Sequence, residues 1–355
     1  MIASVAAGLD RERFDVHLAA VSEDAPGATE MPQWVTVHRL YAGRVRWSAI
    51  RVVRLLWKVR PELVIPGMMH LSALLLALKP ILPRDLRIAP RVNTTLSRSM
   101  TGAGGRLIFR WLMRRANSIL CQSDAMAEDT SQYLDISWKR ILVAPNPVTV
   151  DAIRRRAVEA REQAWVQDQV VRVIYAGRLA HEKGVDMLLK AWAQLHVTSG
   201  QAQLTIIGEG AEHERLNDLR VKLQVETTVA LVGFQADVAS WMGCADVLVQ
   251  PSRWEGMPNA LLEGAAAGLL LVTTPSSEGV VRLLQDAPWT WITHDASADA
   301  LAEALRMAIT TVRKRQWQRV WHNFLESMDS PVALQRWNAC VIEMLDGASA
   351  KERQA

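Results

Sequence analysis

The stretch VVRVIYAGRLAHEKGVDMLLKAWAQL (residues 170–195) decides the fold. Its first eight residues are apolar apart from Arg172, the composition of a strand covered on both faces. Gly177 closes that run. After the polar loop RLAHEKG the period changes, and VDMLLKAWAQL carries apolar residues three and four apart, as a helix packed on one side requires. A buried strand, a glycine-bounded turn and an amphipathic helix in this order make one βα unit of a parallel sheet.

The same alternation extends in both directions. Downstream, QLTIIGEG (203–210), TVALVG (228–233), DVLVQPS (246–252) and LLLVTT (269–274) read as strands. EHERLNDLRVKL (212–223), VASWMGC (238–244), NALLEGAAAG (259–268) and DALAEALRMAI (299–309) read as helices. Upstream, the strands are FDVHLAAV (14–21), ELVIPG (62–67), LRIAPRV (86–92), SILCQS (118–123) and RILVAPNPV (140–148). Helices are expected over 71–82, over RLIFRWLMRRA (106–116), and after Ser123, which caps DAMAEDTSQYL. The expected fold is α/β, with two Rossmann-like, doubly wound domains facing a cleft. They cover 1–150 and 170–320, joined by the polar linker 151–169 and followed by a Trp-bearing helical tail, 321–355.

Composition fits this division. A chain of 355 residues, half of them hydrophobic, can fill two cores. The net charge of +4 is unevenly spread: residues 1–165 carry +9 and the remainder −5. A basic front half suits an anionic partner. The three cysteines are scattered and odd in number, which points to a reducing cytoplasm rather than a disulfide framework. The eight histidines form no HExxH, no apolar run is long enough to span a bilayer, and the N-terminal residues lack the pattern of a signal peptide.

Ligands of parallel α/β sheets bind beyond the carboxyl ends of the strands, so the loops after strands carry the candidates. After 170–177 come Arg178 and Lys183 beside a helix start, where two cations and the helix dipole suit a diphosphate. Gly208 and Gly210 form a GxG that lacks the third glycine of a dinucleotide fingerprint and reads as a tight strand-to-helix turn. SRWEGMPNALLEGAAAG (252–268) follows another strand. Pro258 fits the first turn of its helix, and the N–H groups of Asn259, Ala260 and Leu261 suit phosphate oxygens. Gly256 lets backbone approach a ligand. Glu255 in the loop and Glu263 within the helix would reach different parts of one ligand, a carboxylate being suited to a pair of hydroxyls.

The order strand–GR(x4)KG–helix, strand–GEG, GF, then PS(x2)EG(x2)N(x3)E closely resembles the C-terminal half of family 4 retaining glycosyltransferases of the GT-B fold. Glu255 and Glu263 match that family's E-x7-E motif. PNALLEG resembles members that build bacterial surface polysaccharides, and the likeness runs from about residue 6 to residue 310. The resemblance implies a cytoplasmic, metal-independent enzyme that moves a sugar from a UDP- or GDP-sugar to a saccharide or lipid-linked acceptor, with no cofactor besides that co-substrate. It implies that Arg178 and Lys183 hold the donor diphosphate, Glu263 the ribose, Glu255 the donor sugar, and the Gly233–Phe234 backbone the base.

On the acceptor side, Asn93 matches the place where many relatives carry a histidine, and His70 is a second candidate. The family's first strand has no counterpart ahead of FDVHLAAV, which motivates a rival expectation: a non-catalytic sugar-nucleotide-binding protein or partner subunit. Two basic segments, RVRWSAIRVVRLLWKVRP (44–61) and RLIFRWLMRRA, combine Arg, Lys and Trp on helical spacing and suggest docking on an anionic membrane, on its inner face. No nucleic-acid module is recognisable.

Overall fold

A computed structural model describes residues 1–21, 31–40, 45–99, 103–163, 170–198, 200–314, 316, 319 and 322–346, without the side chains of 45–48 and 103–104. The fold is GT-B: two Rossmann-like units of parallel strands and covering helices. One unit comprises Met1–Pro147 and Ser330–Ala355, the other Val148–Asp329.

In the first unit, strands β1 (His17–Ala20) and β2 (Thr36–Arg39) form a parallel pair. β3 (Leu63–Val64) pairs with β4 (Arg87–Ile88), and β5 (Ile119–Cys121) with β6 (Ile141–Val143), again in parallel. A bridge between Arg91 and Leu120 joins these two pairs into one run. Pro66 and Pro90 interrupt the regular pairing just past β3 and β4 because neither has an N–H to donate. Leu76, Ile88, Leu96, Met113, Ile119 and Leu134 form the core between this run and its helices. The helix Ser330–Asp346 also belongs here, with Trp337 buried and donating from Nε1 to the Pro145 carbonyl at 2.9 Å.

The second unit has one six-stranded parallel sheet. Its strands are β7 (Val171–Ala176), β8 (Ala202–Ile207), β9 (Val229–Leu231), β10 (Val247–Gln250), β11 (Leu270–Thr273) and β12 (Thr290–Ile292). Their order across the sheet is β12-β11-β10-β7-β8-β9, so the strand order reverses between β7 and β10. Alternation along β7 sends Val171, Val173 and Tyr175 into one core, and Ile174 and Ala176 into the other. Both faces are therefore apolar, as a doubly wound sheet demands. The small-residue helix Asn259–Ala266 lies close on β10: a Cβ at Gly264 would stand 2.5 Å from the Leu248 side chain.

Two segments differ from their sequence reading, and two strands went unread. The polar stretch 151–169 is largely the helix Val150–Gln163, whose Ile153 and Ala157 are buried in the second unit; residues 164–169 lie outside the described residues. Its many charges occupy the outer face of an ordinary amphipathic helix. The tail 321–355 divides, with Asn323–Met328 in the second unit and the last helix in the first; residues 347–355 are outside the described residues. Strands β2 and β12 were not legible, since TVHR and TWI are short and partly exposed.

Candidate active site

The carboxyl ends of the strands around the reversal are stitched together by backbone. Gly177 N–H donates to the Ile207 carbonyl at 3.0 Å, Leu179 N–H to Glu209 at 2.8 Å, Gly208 N–H to Gly233 at 2.8 Å and Arg253 N–H to Glu182 at 2.8 Å. Gly184 makes another such close approach. It has φ +67°, and a Cβ there would lie 2.0 Å from the Pro251 carbonyl oxygen. No other residue supplies both that backbone conformation and that clearance. In the GEG turn, read from sequence as a tight strand-to-helix turn, Gly208 takes part in the stitching and Gly210 lies close against the Leu179 carbonyl.

Arg178 and Lys183 stand at the two ends of the loop after β7, in different surroundings. Arg178 is largely exposed, at 74 % of its side chain, and donates to Glu182 Oε1 at 3.0 Å. Its own carbonyl is held by the buried Tyr175 hydroxyl at 2.9 Å. Lys183 is mostly covered, and its Nζ lies 2.5 Å from Glu255 Oε1. The same oxygen accepts from the Ser252 hydroxyl at 2.8 Å and from Gln250 Nε2 at 3.4 Å. The sequence candidates for diphosphate and sugar thus meet each other directly.

Arg253 and Asp186, which sequence reasoning passed over, lock this arrangement. The guanidinium takes both Asp186 oxygens at 2.8 Å and the His181 carbonyl at 2.6 Å. Burial works against the Asp186 charge, yet the bonds and charge of Arg253 hold that carboxyl below its ordinary value. This fork ties the 178–184 loop to the 251–257 loop and so sets the Lys183–Glu255 contact. Arg253, two positions before Glu255 in a strand-end loop, was the available signal. Gly256 is buried, with its carbonyl accepting from the Ser277 hydroxyl at 3.0 Å, and Glu255 N–H donates to the Ser276 carbonyl.

Pro258 is the N-cap of the next helix rather than part of its first turn, with φ −73° and ψ 116°. The Leu261 N–H, expected to be open to phosphate, donates to the Pro258 carbonyl at 3.1 Å, because the helix begins at Asn259 and its first turn closes there. Asn259 is exposed and Ala260 half-buried. The Glu263 carboxylate has no hydrogen bond or ion pair among the described residues, and burial raises it above the ordinary value of 4.5. Gly233 (φ +71°) follows β9, and Phe234 beside it is 62 % exposed. In the first unit, His70 at the start of the helix Met69–Leu78 and Asn93 past β4 are both exposed.

Two family models match the chain: "Glycosyltransferase Family 4" over residues 1–152 and "Glycosyl transferases group 1" over 170–311. The chain belongs to the family 4 glycosyltransferases. A lipopolysaccharide core biosynthesis glycosyltransferase, LpsE of Rhizobium meliloti, is 28 % identical over 200 residues, 55 % of each chain. Campylobacter jejuni has a relative named N-acetylgalactosamine-N,N'-diacetylbacillosaminyl-diphospho-undecaprenol 4-alpha-N-acetylgalactosaminyltransferase. It is 25 % identical over 211 residues, 59 % of this chain and 56 % of the relative. The chain thus spans about half the length of these curated relatives. Among solved structures, Anabaena Alr3699/HepE in complex with UDP and glucose superposes with a TM-score of 0.73 at 18 % identity, covering 97 % of this chain and 94 % of that one.

Proposed function

We propose that this glycosyltransferase takes a nucleotide sugar, UDP- or GDP-linked, and moves its sugar with retention to a saccharide or lipid-linked acceptor of bacterial surface polysaccharide assembly. The carrying observation is the convergence of Lys183, Glu255, Arg253 and Asp186 at the carboxyl edge of the six-stranded sheet, beside a helix that bears an unpartnered Glu263. In this reading Arg178 and Lys183 receive the diphosphate. Their charge is aimed where negative charge grows as the glycosidic bond breaks. Glu263 takes the ribose hydroxyls, which supply the hydrogen bonds its carboxylate lacks. Glu255, freed from Lys183 by the incoming diphosphate, takes hydroxyls of the sugar. Gly233, Phe234, Gly256, Asn259 and Ala260 frame the base and the phosphates, and His70 and Asn93 remain acceptor-side candidates. The names of the Rhizobium and Campylobacter relatives support a polysaccharide or diphospholipid-linked acceptor. Calorimetry of the full chain with UDP, GDP and uridine tests the donor reading: a diphosphate should bind at least tenfold more tightly than the nucleoside, since one charge-assisted bond is worth about 1.5–3 kcal/mol. Equal affinities would sink it.

The same reading has the enzyme work on an anionic membrane surface. No helix among the described residues is long and apolar enough to cross a membrane. The helix Ala103–Met113, however, exposes Leu107 (70 %), Ile108 and Trp111, with the Arg115 guanidinium 3.7 Å from the Trp111 ring centre. Lys79 Nζ bonds the Arg115 carbonyl, and two residues on, Ile81 is exposed and accepts from Trp57 Nε1 at 3.0 Å. Exposed Arg54 and Lys58 flank Trp57 on the helix Val45–Val59. Exposed apolar side chains set among cations suit an interface of anionic headgroups. Binding to phosphatidylglycerol vesicles should weaken from low to high salt and fall in Leu107→Ser; salt-independent binding, or none, would refute the docking.

A further inference from the structure

The first unit holds a buried cation that the donor chemistry does not use. Arg91 stands just past β4 and is 3 % exposed. Its Nη2 donates to Asn146 Oδ1 at 2.7 Å, and Asn146, beyond β6, reaches Oε1 of Gln122, just past β5, at 3.5 Å. This is the one side-chain hydrogen bond of Arg91 among the described residues. Its Nε is sealed from solvent and has no acceptor. Among the described residues no carboxylate is paired with it. The titratable group acting on it is Cys121, a thiol that burial pushes up to about 12 and that is therefore neutral at pH 7. Burial lowers the guanidinium itself to about 10, which leaves it protonated at neutral pH.

A cation out of water is costly unless it is paired and hydrogen-bonded. A guanidinium offers five donors in a planar fork that matches two oxygens of one oxyanion, and a single neutral amide satisfies one of them. Arg91, Gln122 and Asn146 lie past the carboxyl ends of three successive parallel strands, the edge at which α/β sheets bind ligands. We propose that Arg91, with Asn146 and Gln122 beside it, binds an oxyanion group, phosphate or carboxylate, carried by the acceptor. The word acceptor rests on the transfer reading above; the anion site does not. The site selects acceptors that present such a group near the hydroxyl to be glycosylated, a phospholipid-linked saccharide or an acidic sugar, over neutral sugars.

The test uses the full chain with UDP in excess, so that donor-side cations are occupied, and follows melting temperature and calorimetric heat on titration with inorganic phosphate and, separately, acetate. A saturable response to either is expected in the wild type, and which anion acts tells a phosphorylated acceptor from a carboxylated one. In Asn146→Asp an internal carboxylate replaces the ligand. The melting temperature without added anion should rise, and anion affinity should fall about tenfold or more, the loss of one charge-assisted contact. Arg91→Gln should also lose the response. Where that variant fails to fold, Asn146→Asp, which adds a partner rather than removing one, still decides. No response to either anion in the wild type, or an unchanged response in Asn146→Asp, overturns the proposal. A chain that binds UDP without responding to anions loses this inference alone. An anion response lost in Asn146→Asp, in a chain that does not bind UDP, loses the donor reading alone.

Discussion

Glu255 and Glu263 belong to one motif but to opposite electrostatic regions. Glu255 lies in a loop where its carboxylate meets Lys183, Ser252 and Gln250. Glu263 lies in a helix where its carboxylate has no hydrogen-bond or ion-pair partner among the described residues and burial, the dominant influence, works against its charge. In the donor reading proposed above, the difference divides the work of the site before any ligand arrives. The first carboxylate is stable as it stands, so a donor must exchange one of its partners. The second is held in an unfavourable state, so a donor need only add partners. The first region suits a role that changes during reaction, and the second suits constant grip on a part of the ligand that does not react.

The largest effect should come from breaking the first region's pair. Lys183→Met leaves a carboxylate that is mostly out of water without its cation, a change that costs about 3–5 kcal/mol in buried pairs. Urea unfolding should register most of that loss, moderated by the bonds Glu255 keeps with Ser252 and Gln250. Adding Glu255→Gln should recover much of it. A loss below about 1 kcal/mol would place the pair among solvent-screened surface contacts and erase the contrast with Glu263.

The next effect is in binding. Glu263→Ala should weaken UDP and UDP-sugar alike, by about 1.5–3 kcal/mol, since both carry the ribose. Glu255→Ala should do the reverse: UDP affinity holds or rises, because Lys183 is released for the diphosphate, while turnover drops. Calorimetry and transfer rates on both variants separate these patterns, and parallel losses in both assays would mean that the two glutamates only support the helix start.

The pH dependence follows from the raised Glu263. A carboxyl whose folded value exceeds 4.5 binds more protons folded than unfolded, so its contribution to stability is full below 4.5 and is lost as pH rises through the folded value. Glu263→Gln should remove that decline. Stability of wild type minus variant, followed from pH 4 upward by thermal melts, should fall with pH; a flat difference would show that the carboxyl is solvated.

Much of this was legible beforehand because parallel sheets write themselves as apolar runs. β7, β10 and β11 are buried on both faces and β8 fully on one, so they stood out at once, as did the glycines between them. β2 and β12 did not, because a short edge strand with exposed residues has no distinctive pattern. Glu255 and Glu263 were singled out by the order of motifs around them, but a motif says nothing about partners, so the Lys183–Glu255 contact was invisible: its members are 72 residues apart. Arg253 and Asp186 looked like ordinary loop and helix charges until the fold joined them. Arg91 was passed over beside Asn93 for the same reason, since burial of a single arginine at a strand end leaves no mark on composition.

The smallest effect concerns Arg178, and it sharpens the comparison within a single loop. Arg178 and Lys183 each have a glutamate partner, but the Arg178–Glu182 pair is on the surface, with 74 % and 27 % of the side chains exposed, against 17 % and 11 % for Lys183–Glu255. Exposed pairs contribute about 0.2–1 kcal/mol, and salt screens them over about 10 Å at 0.1 M. Arg178→Ala should therefore cost the free protein less than about 1 kcal/mol, and that small cost should fade in high salt, whereas the Lys183→Met loss should persist. In binding the two should converge, because a diphosphate would draw on both cations. Arg178→Ala should weaken UDP while leaving uridine nearly untouched. A stability loss as large as that of Lys183→Met, or equal weakening of UDP and uridine, would mean that Arg178 holds the loop through its bond to Glu182 rather than waiting for phosphate. In that case the division of labour would run between the loop's two ends differently: one cation building the site and the other filling it.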